Sequence, residues 1–315
     1  MQNNNNTIDN QFLILGRLGG AATSPIYRVR RVNDNNEYAA KVGDPNHFPQ
    51  ELQMTTLVSG LNNPNIIHLE GHDIGTVNYQ GTITNNANYM ILEYCPKGDL
   101  LKYLEIEKFT ERQAGYIFKK ILLGVQALHV ANICHRDLKL TNILLDQNFN
   151  PKISDFFFAT QFRQDNQPIM LTDRVGTRHC MSPNIFSNKS YNGEKADIFS
   201  LGVILFELVS RAFPFEVARK EDHFYGLIMK RNFPQFWHEC KIMDLSENFK
   251  NLFISMVDPN ENNRPNIAQV LAHPWFNEIN LNNLDNQQLA QLENDVRTEF
   301  IRRENILLTI ANHIH

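Results

Sequence analysis

Cysteine is scarce in this sequence of 315 residues. The four cysteines, Cys95, Cys134, Cys180 and Cys240, show no C-x-x-C spacing, so the sequence indicates neither a disulfide framework nor a cysteine zinc site. Free thiols fit a reducing compartment. We therefore expect a cytoplasmic location, with the nucleus as the alternative.

Excess positive charge and long apolar runs are missing as well. Thirty basic and 34 acidic side chains give a net charge of −4, which argues against a general binder of nucleic-acid backbones. The longest apolar run, around residues 201–209, is about half the length that a membrane span needs. The N-terminus has neither a basic nor an apolar leader region. We expect no nucleic-acid partner and no membrane partner.

The composition is that of a globular protein, and its first part is strand-like. Hydrophobic residues make up 42% of the chain and charged residues 20%, and the length fits two domains or one domain with two lobes. From Phe12 to Val42, short runs rich in Ile, Leu, Val and Tyr alternate with Gly, Asn and Asp. This pattern predicts antiparallel strands joined by hairpins. A short helical pattern follows over residues 49–57, and another strand is predicted over residues 89–94.

Helical periodicity dominates the rest of the chain. Residues 112–129 carry apolar side chains at spacings of three and four, which predicts an amphipathic helix. Residues 197–209 are apolar nearly all round, which predicts a helix buried on every side. We expect the globular part to end near residue 278, with another helix beyond residue 284.

The most informative motif is His135-Arg-Asp-Leu-Lys-Leu-Thr-Asn142, followed by Ser154-Asp155-Phe156. These residues resemble the catalytic loop and the metal motif of eukaryotic protein kinases. His273-Pro-Trp-Phe276 resembles the end of many calcium/calmodulin-type Ser/Thr kinase domains, so the subfamily likeness is a loose one. The alternative for the motif, a loop of solvated polar residues, is far less favoured because eight positions match in order.

The resemblance implies an α+β, bilobal protein-kinase fold with a small antiparallel-sheet N-lobe and a mostly helical C-lobe. On this basis residues 1–11 form a disordered Asn-rich N-terminus and residues 12–95 the N-lobe. Residues 96–278 form the C-lobe and residues 279–315 a C-terminal helical tail.

The resemblance also implies roles for the motif residues. Asp137 would orient the substrate hydroxyl and accept its proton, and Lys139 would stabilise the migrating phosphoryl group. Asn142 and Asp155 would ligate Mg²⁺, because phosphoryl transfer from ATP needs positioning and charge neutralisation. A lysine at position 139 favours Ser/Thr over Tyr as the acceptor.

Lys41 ends the strand motif Tyr38-Ala-Ala-Lys41, which resembles the kinase strand whose lysine reaches the ATP phosphates. An exposed strand lysine is the alternative. Glu51 is its implied partner on the following helix, although only ten residues separate the two. Glu51 also falls in the first turn after Pro49, where the helix dipole alone favours an acid.

The resemblance implies a set of residues that contact the adenine ring of ATP or form the hinge. Plain core packing would account for each of these residue types equally well. These positions are Ile26, Ala39, Leu92, Glu93, Cys95 and Leu144. Gly19 matches the first glycine of the phosphate loop, whereas Ala21 and Ser24 replace the second and third. Neither residue adopts positive φ as freely as glycine, which predicts weaker nucleotide binding.

Other departures lie in the metal motif and the activation segment. Phe157 replaces the glycine of D-F-G and restricts backbone rotation there. Asn184 replaces a glutamate whose usual partner would be Arg264, and its side chain can still accept one hydrogen bond from Arg264. Asp173 stands where many kinases are phosphorylated, so it either pairs with Arg136 as a built-in charge or is a solvated acid beside Thr172.

Two functions follow from this reading. The first is an ATP- and Mg²⁺-dependent Ser/Thr protein kinase acting on protein substrates. The alternative is a pseudokinase, a nucleotide-binding or scaffolding module that has little or no phosphoryl transfer. Retention of every residue that handles charge favours the kinase. Thr141, at a position where basophilic kinases often have an acid, predicts no strong preference for arginine just before the acceptor.

The tail helix is amphipathic and rather acidic, with five acids against three arginines over residues 284–311. A calmodulin target would be basic. The apolar stripe predicts docking on the large lobe or pairing with a partner helix. A solvated, partly frayed helix is equally compatible with the sequence.

Overall fold

The computed structural model describes residues 6–43, 47–165, 167–242 and 244–314. The chain divides into two compact units, residues 1–96 and 97–315. The first unit is mainly antiparallel sheet and the second is mainly helical, which confirms the predicted α+β class.

The described residues of the first unit form six strands and one helix. In chain order these are β1 (Thr7–Ile8), β2 (Phe12–Gly20), β3 (Pro25–Arg31), β4 (Glu37–Val42), α1 (Phe48–Ser59), β5 (Leu69–Tyr79) and β6 (Thr82–Glu93).

The six strands form a closed antiparallel barrel in the order β1-β2-β3-β4-β6-β5. Closure depends on β1, which pairs with β2 on one side and with β5 on the other. The predicted disorder of residues 1–11 is therefore wrong for Thr7 and Ile8, both of which are buried, while residues 1–5 lie outside the described part. Ile8 is ordered because its side chain packs in the apolar interior of the barrel, together with side chains such as Val29 and Ala40.

The second unit begins with a long helix and the short strands that carry the catalytic-type motif. Its elements up to the activation segment are α2 (Leu101–Leu104), α3 (Glu111–Val130), β7 (Ile133–Cys134), a 3₁₀ turn (Leu140–Asn142), β8 (Ile143–Leu145), β9 (Pro151–Ile153), β10 (Thr160–Gln161), β11 (Arg163–Gln164), β12 (Gln167–Pro168) and β13 (Met170–Leu171).

The remaining elements are almost all helical. They are α4 (Pro183–Phe186), β14 (Tyr191–Asn192), α5 (Gly193–Ser210), α6 (His223–Met229), α7 (Phe233–Glu239), α8 (Glu247–Met256), a 3₁₀ turn (Glu261–Asn263), α9 (Ile267–Leu271), α10 (Pro274–Glu278) and α11 (Asn286–Ile314). Among the described residues, no helix combines the length and the apolarity that crossing a membrane requires.

Helices α3 and α5 agree with the sequence predictions. Thr110 caps α3 in a capping box with Gln113, which satisfies free N–H groups at the start of the helix. In α5 every residue from Ala196 to Val209 is buried, as the apolar run predicts. These two packed helices support the loop that follows β7.

One face of helix α11 is buried. Leu292, Val296, Phe300 and Arg303 are spaced by three or four positions and are all at most 3% exposed, which is the period of a single helix face. The ring of Phe300 lies 5.2 Å from that of Phe149, in a stacked arrangement, and α2 and the segment before α3 supply two more aromatic rings to the same cluster.

Arg303 is the polar centre of this contact. Its guanidinium donates to the backbone carbonyls of Tyr103, Glu107 and Lys108 and lies 3.7 Å from the ring centroid of Phe109. Glu299, one turn earlier, accepts from Nε at 2.7 Å. Burial lowers the pKa of Arg303, and these partners compensate the buried charge.

Candidate active site

In the first unit, Lys41 and Glu51 form a buried ion pair. Lys41 lies near the end of β4 and Glu51 in the first turn of α1. Both side chains are at least 90% buried, so the pair is kept from water and a lone charge there would be costly. The predicted pairing is therefore present, although the link between the two residues is short.

The strand register places the predicted nucleotide contacts of this unit on one sheet face. Ile26 pairs with Gly19 on one side and with Lys41 on the other, and Ala39 pairs with Leu92. Directly paired residues, and residues two apart along a strand, share a face. This face is opposite to the barrel interior. Two further predicted contacts, Glu93 and Cys95, lie at the end of β6 and just beyond it.

The hairpin between β2 and β3 depends on two residues that the sequence analysis did not weigh. Gly20 has φ +80°, and a Cβ there would lie 2.2 Å from the carbonyl oxygen of Ser24. Arg17 donates to the carbonyls of Gly19, Gly20 and Ala21 at 2.9–3.2 Å. The guanidinium thus ties down a loop in which Ala21 and Ser24 stand where glycines were expected.

In the second unit, Asp197 holds the backbone of the catalytic-type loop. Its buried carboxylate accepts the N–H groups of His135 and Arg136, each at 2.8 Å, and a bond from His129 at 2.9 Å. Arg136 has φ +66°, a left-handed conformation that costs a non-glycine residue about 1 kcal/mol. The carboxylate, at the head of α5, stabilises that strained backbone.

Asp137 lies at the centre of a buried polar cluster. Its Oδ1 accepts from Thr177 Oγ1 at 2.7 Å, and its Oδ2 accepts from Lys139 Nζ at 2.8 Å and from Asn142 Nδ2 at 3.2 Å. Lys139 also donates to Thr177 at 2.8 Å. Asp137 is only 5% exposed. Three donors therefore fix the orientation of this carboxylate, which suits it to aligning a hydroxyl group.

His135 and Asn142 link this cluster to the metal motif. His135 Nδ1 accepts the N–H of Asp137 at 3.2 Å, so its Nε2 carries the proton that is donated to the carbonyl of Ser154 at 3.0 Å. The N–H and hydroxyl groups of Ser154 both donate to the backbone carbonyl of Asn142. Asp155, the next residue, is thereby tied to the loop that carries Asn142.

The donor set here fits a divalent cation that is shared with a phosphate chain. Asn142 uses Nδ2 as a donor toward Asp137, which leaves its Oδ1 as an acceptor, and Asp155 adds an exposed carboxylate with φ +65°. Within the described ranges, no cluster of three or more His, Cys, Asp or Glu side chains could hold a metal by itself. Mg²⁺ commonly takes one or two protein oxygens and completes its shell with phosphate and water.

The remaining predicted residues of this unit lie close to the motif. Phe156 is 1% exposed and its ring lies 5.2 Å from that of His135. Phe157, which replaces the expected glycine, packs edge-to-face on Phe158 at 4.8 Å. Leu144 lies in β8, two residues beyond Asn142, and pairs with Lys152 of β9.

The activation segment is fastened to the same loop. Gly176 has φ +102°, and a Cβ there would lie 2.5 Å from the carbonyl oxygen of Arg136, so this close approach requires glycine. Arg136 donates to Asp173 Oδ2 at 3.1 Å and to the carbonyl of Phe158 at 2.6 Å. Tyr191 bonds to both residues of the Arg136–Asp173 pair. The ion pair predicted between Arg136 and Asp173 is present.

The expectation that Asn184 accepts a hydrogen bond from Arg264 is wrong. Asn184 donates weakly to the carbonyl of Ser190, and Arg264 donates instead to the carbonyls of Asp258 and Lys195. Arg264 is 2% exposed, and its Nη2 has no hydrogen-bond partner among the described residues. Burial lowers its pKa to about 10. Asn184 is shorter than the expected glutamate and carries no charge, so nothing draws it to the guanidinium.

A family profile identifies the chain. The protein kinase domain profile matches residues 12–276, which include both the Lys41–Glu51 pair and the Asp137 cluster. The chain therefore belongs to the protein kinase domain family.

Individual relatives are serine/threonine kinases. CBL-interacting serine/threonine-protein kinase 2 of Arabidopsis thaliana is 30% identical over 272 residues, which cover 83% of this chain and 56% of that protein. CBL-interacting protein kinase 26 of Oryza sativa is 29% identical, with 83% of this chain and 51% of that protein covered. The chain thus spans about half the length of the curated relatives that it matches.

Proposed function

We propose that this chain is an active Ser/Thr protein kinase that transfers the γ-phosphate of ATP to a hydroxyl group of a protein substrate. The observation that carries the proposal is the cluster in which Thr177, Lys139 and Asn142 all donate to the carboxylate of Asp137. A carboxylate fixed in this way can align an acceptor hydroxyl and take its proton as the γ-phosphoryl group moves from ATP to the hydroxyl oxygen, with ADP as the leaving group.

We assign a role to each of the other predicted residues. Lys41, held by Glu51, binds the α and β phosphates, and Asn142 and Asp155 supply oxygens to Mg²⁺. Gly19, Ile26, Ala39, Leu92, Glu93, Cys95 and Leu144 contact the nucleotide. Lys139 neutralises charge on the migrating phosphoryl group. Electrostatic stabilisation of this kind is usually the largest contribution to lowering the barrier of a reaction.

We also propose that the tail docks on its own chain and does not pair with a partner helix. The bonds of Arg303 and the ring stack of Phe300 support this, because both bury the apolar face of α11. The ion pair between Lys97 and Glu304 of α11, at 2.8 Å, also supports docking of the tail on its own chain.

The metal and the acceptor are tested together. Purified protein is incubated with radiolabelled ATP and a mixed Ser/Thr substrate in the presence of Mg²⁺, Mn²⁺ or chelator, beside Asp155→Ala. The proposal expects labelling that requires a divalent cation, is strongest with Mg²⁺ and is lost in the variant. Binding of ATP in a thermal-shift assay without any transfer would instead favour the pseudokinase alternative, which the comparisons do not support.

A further inference from the structure

Two arginines of the second unit converge on one aromatic ring beside the activation segment. The guanidinium carbon of Arg174 lies 4.9 Å from the ring centroid of Phe186, and that of Arg219 lies 5.7 Å from the same centroid. The two distances limit the separation of the guanidinium carbons to about 11 Å. Phe186 ends α4, so residues distant in sequence bring two positive charges to one surface.

Among the described residues, neither arginine has an acidic partner. Arg174 and Arg219 are exposed, as is Arg178, and none of the three forms an ion pair with another described residue. Asp173, the neighbouring acid, is engaged by Arg136. Two like charges beside one ring repel each other, and an anion between or beside them would relieve that repulsion.

The acids on the adjacent loop leave this surface positive. Asp222 accepts three backbone N–H groups as the cap of α6, and Glu221 lies 3.8 Å from Lys220. Glu216 is exposed and is held through its backbone carbonyl by His179. Of these three acids, Glu216 alone neither caps a helix nor forms an ion pair with another described residue.

The surface lies within reach of the acceptor position. Thr177, fixed to Asp137, is three residues beyond Arg174, a distance of at most about 10 Å along an extended chain. A peptide lying across Asp137 in an extended form covers the same distance in about three residues. An arginine side chain adds several ångströms of reach.

We propose that Arg174 and Arg219 form a specificity site for an anionic side chain located within about four residues of the phosphorylated Ser or Thr. Guanidinium groups bind carboxylate and phosphate oxygens through paired N–H donors. The inference rests on the proposed kinase function, because Asp137 marks where the acceptor lies. It agrees with the expectation from Thr141 that arginine before the acceptor is not strongly preferred.

The test compares peptides that differ in charge alone. Acceptor peptides carry Glu, Gln or phosphoserine at single positions on either side of one Ser, and kcat/KM is measured with the full chain and Mg-ATP. At the best position, the Glu or phosphoserine peptide should exceed the Gln peptide by about tenfold, equivalent to about 1.4 kcal/mol. A preference for either anionic residue supports the site, and the ratio between the two shows which one it favours.

The variants locate the preference. Arg174→Gln with Arg219→Gln should bring the Glu-to-Gln ratio close to one, and Arg174→Lys with Arg219→Lys should keep part of it. Arg297→Gln, an exposed arginine on α11, should leave the ratio unchanged. Melting temperatures verify that each variant is folded.

Peptide binding, measured by fluorescence anisotropy without ATP turnover, separates this inference from the kinase function. Preferential binding of anionic peptides that the double variant loses, without any phosphate transfer, would support the site and refute the kinase. Equal handling of Glu and Gln peptides by the unaltered protein, or a ratio that persists in the double variant, would overturn the inference.

Discussion

Oδ2 of Asp173 lies 3.1 Å from Nη1 of Arg136, so the carboxylate of Asp173 supplies a built-in negative charge to that arginine. The Arg136 side chain is buried and that of Asp173 is largely exposed. The pair joins the activation segment to the loop that carries Asp137, and it needs no modification to do so.

The first prediction concerns this pair. Asp173→Asn should lower kcat by about two- to fivefold, because an ion pair with one exposed partner contributes about 1 kcal/mol at most. Thr172→Ala, its neighbour, should leave kcat unchanged. Both rates are measured on protein freed of phosphate by phosphatase treatment. An unaltered rate for Asp173→Asn, or a loss caused by Thr172→Ala, would show that phosphorylation orders the segment.

The second prediction concerns the buried Arg264. Asn184→Glu should raise the free energy of unfolding by roughly 1–3 kcal/mol, because it supplies a carboxylate for a buried guanidinium whose Nη2 has no hydrogen-bond partner among the described residues. Asn184→Gln has the same length without the charge and should have little effect. Urea unfolding at pH 7 measures both. Equal stability of the two variants would mean that the side chain at position 184 does not reach Arg264.

The third prediction concerns pH. Glu207 is 5% exposed and its Oε2 has no hydrogen-bond partner among the described residues, and burial raises its pKa to about 8. The folded protein therefore binds more protons than the unfolded chain between about pH 4.5 and 8, and this group makes stability fall as pH rises through that range.

Glu207→Gln removes that dependence. The melting temperature of the variant, minus that of the unaltered protein, should increase from pH 5 to pH 8 and level off above it. Glu221→Gln, at an exposed position, provides the matched control and should give a flat difference. A constant difference for Glu207→Gln would contradict the raised pKa.

The fourth prediction concerns the docking of α11. Arg303→Met should destabilise the second unit by roughly 2–4 kcal/mol, because it leaves three backbone carbonyls without this donor and removes one of the two arginines that bind Glu299. Arg302→Met, one position away, breaks exposed ion pairs only and should cost less than about 1 kcal/mol. Denaturant unfolding followed by tryptophan fluorescence compares them. Equal stabilities would mean that α11 is not docked in solution.

Sequence periodicity predicted the long elements because their patterns repeat over many residues. The strands between Phe12 and Val42, α3 and α5 are all present at nearly the predicted bounds. The strand predicted over residues 89–94 begins earlier, at Thr82, because residues 82–84 and 87–88 also pair with β5, on either side of an irregularity in the register.

Short elements and long-range contacts lay beyond the sequence analysis. β1 has only two residues, which is too few for any periodicity, and its pairing with β5 joins positions about 70 residues apart. The three carbonyl contacts of Arg17 depend on how the β2–β3 loop folds back. The unpaired Nη2 of Arg264 likewise follows from packing, which the motif around Asn184 does not encode.

The candidate site was easier to anticipate than its surroundings. Asp137, Lys139, Asn142 and Thr177 lie close in sequence or in a recognisable motif, and the structure brings them together.

Single-turnover phosphate transfer tests the central claim most directly. The unaltered protein and Asp137→Asn are mixed with radiolabelled Mg-ATP and a Ser/Thr substrate, with Asp295→Asn on the exposed side of α11 as the matched control. The account predicts phosphoserine or phosphothreonine formation by the unaltered protein and the control, and a loss of at least about a hundredfold in folded Asp137→Asn. Transfer that survives in Asp137→Asn, or none in the unaltered protein, would contradict it.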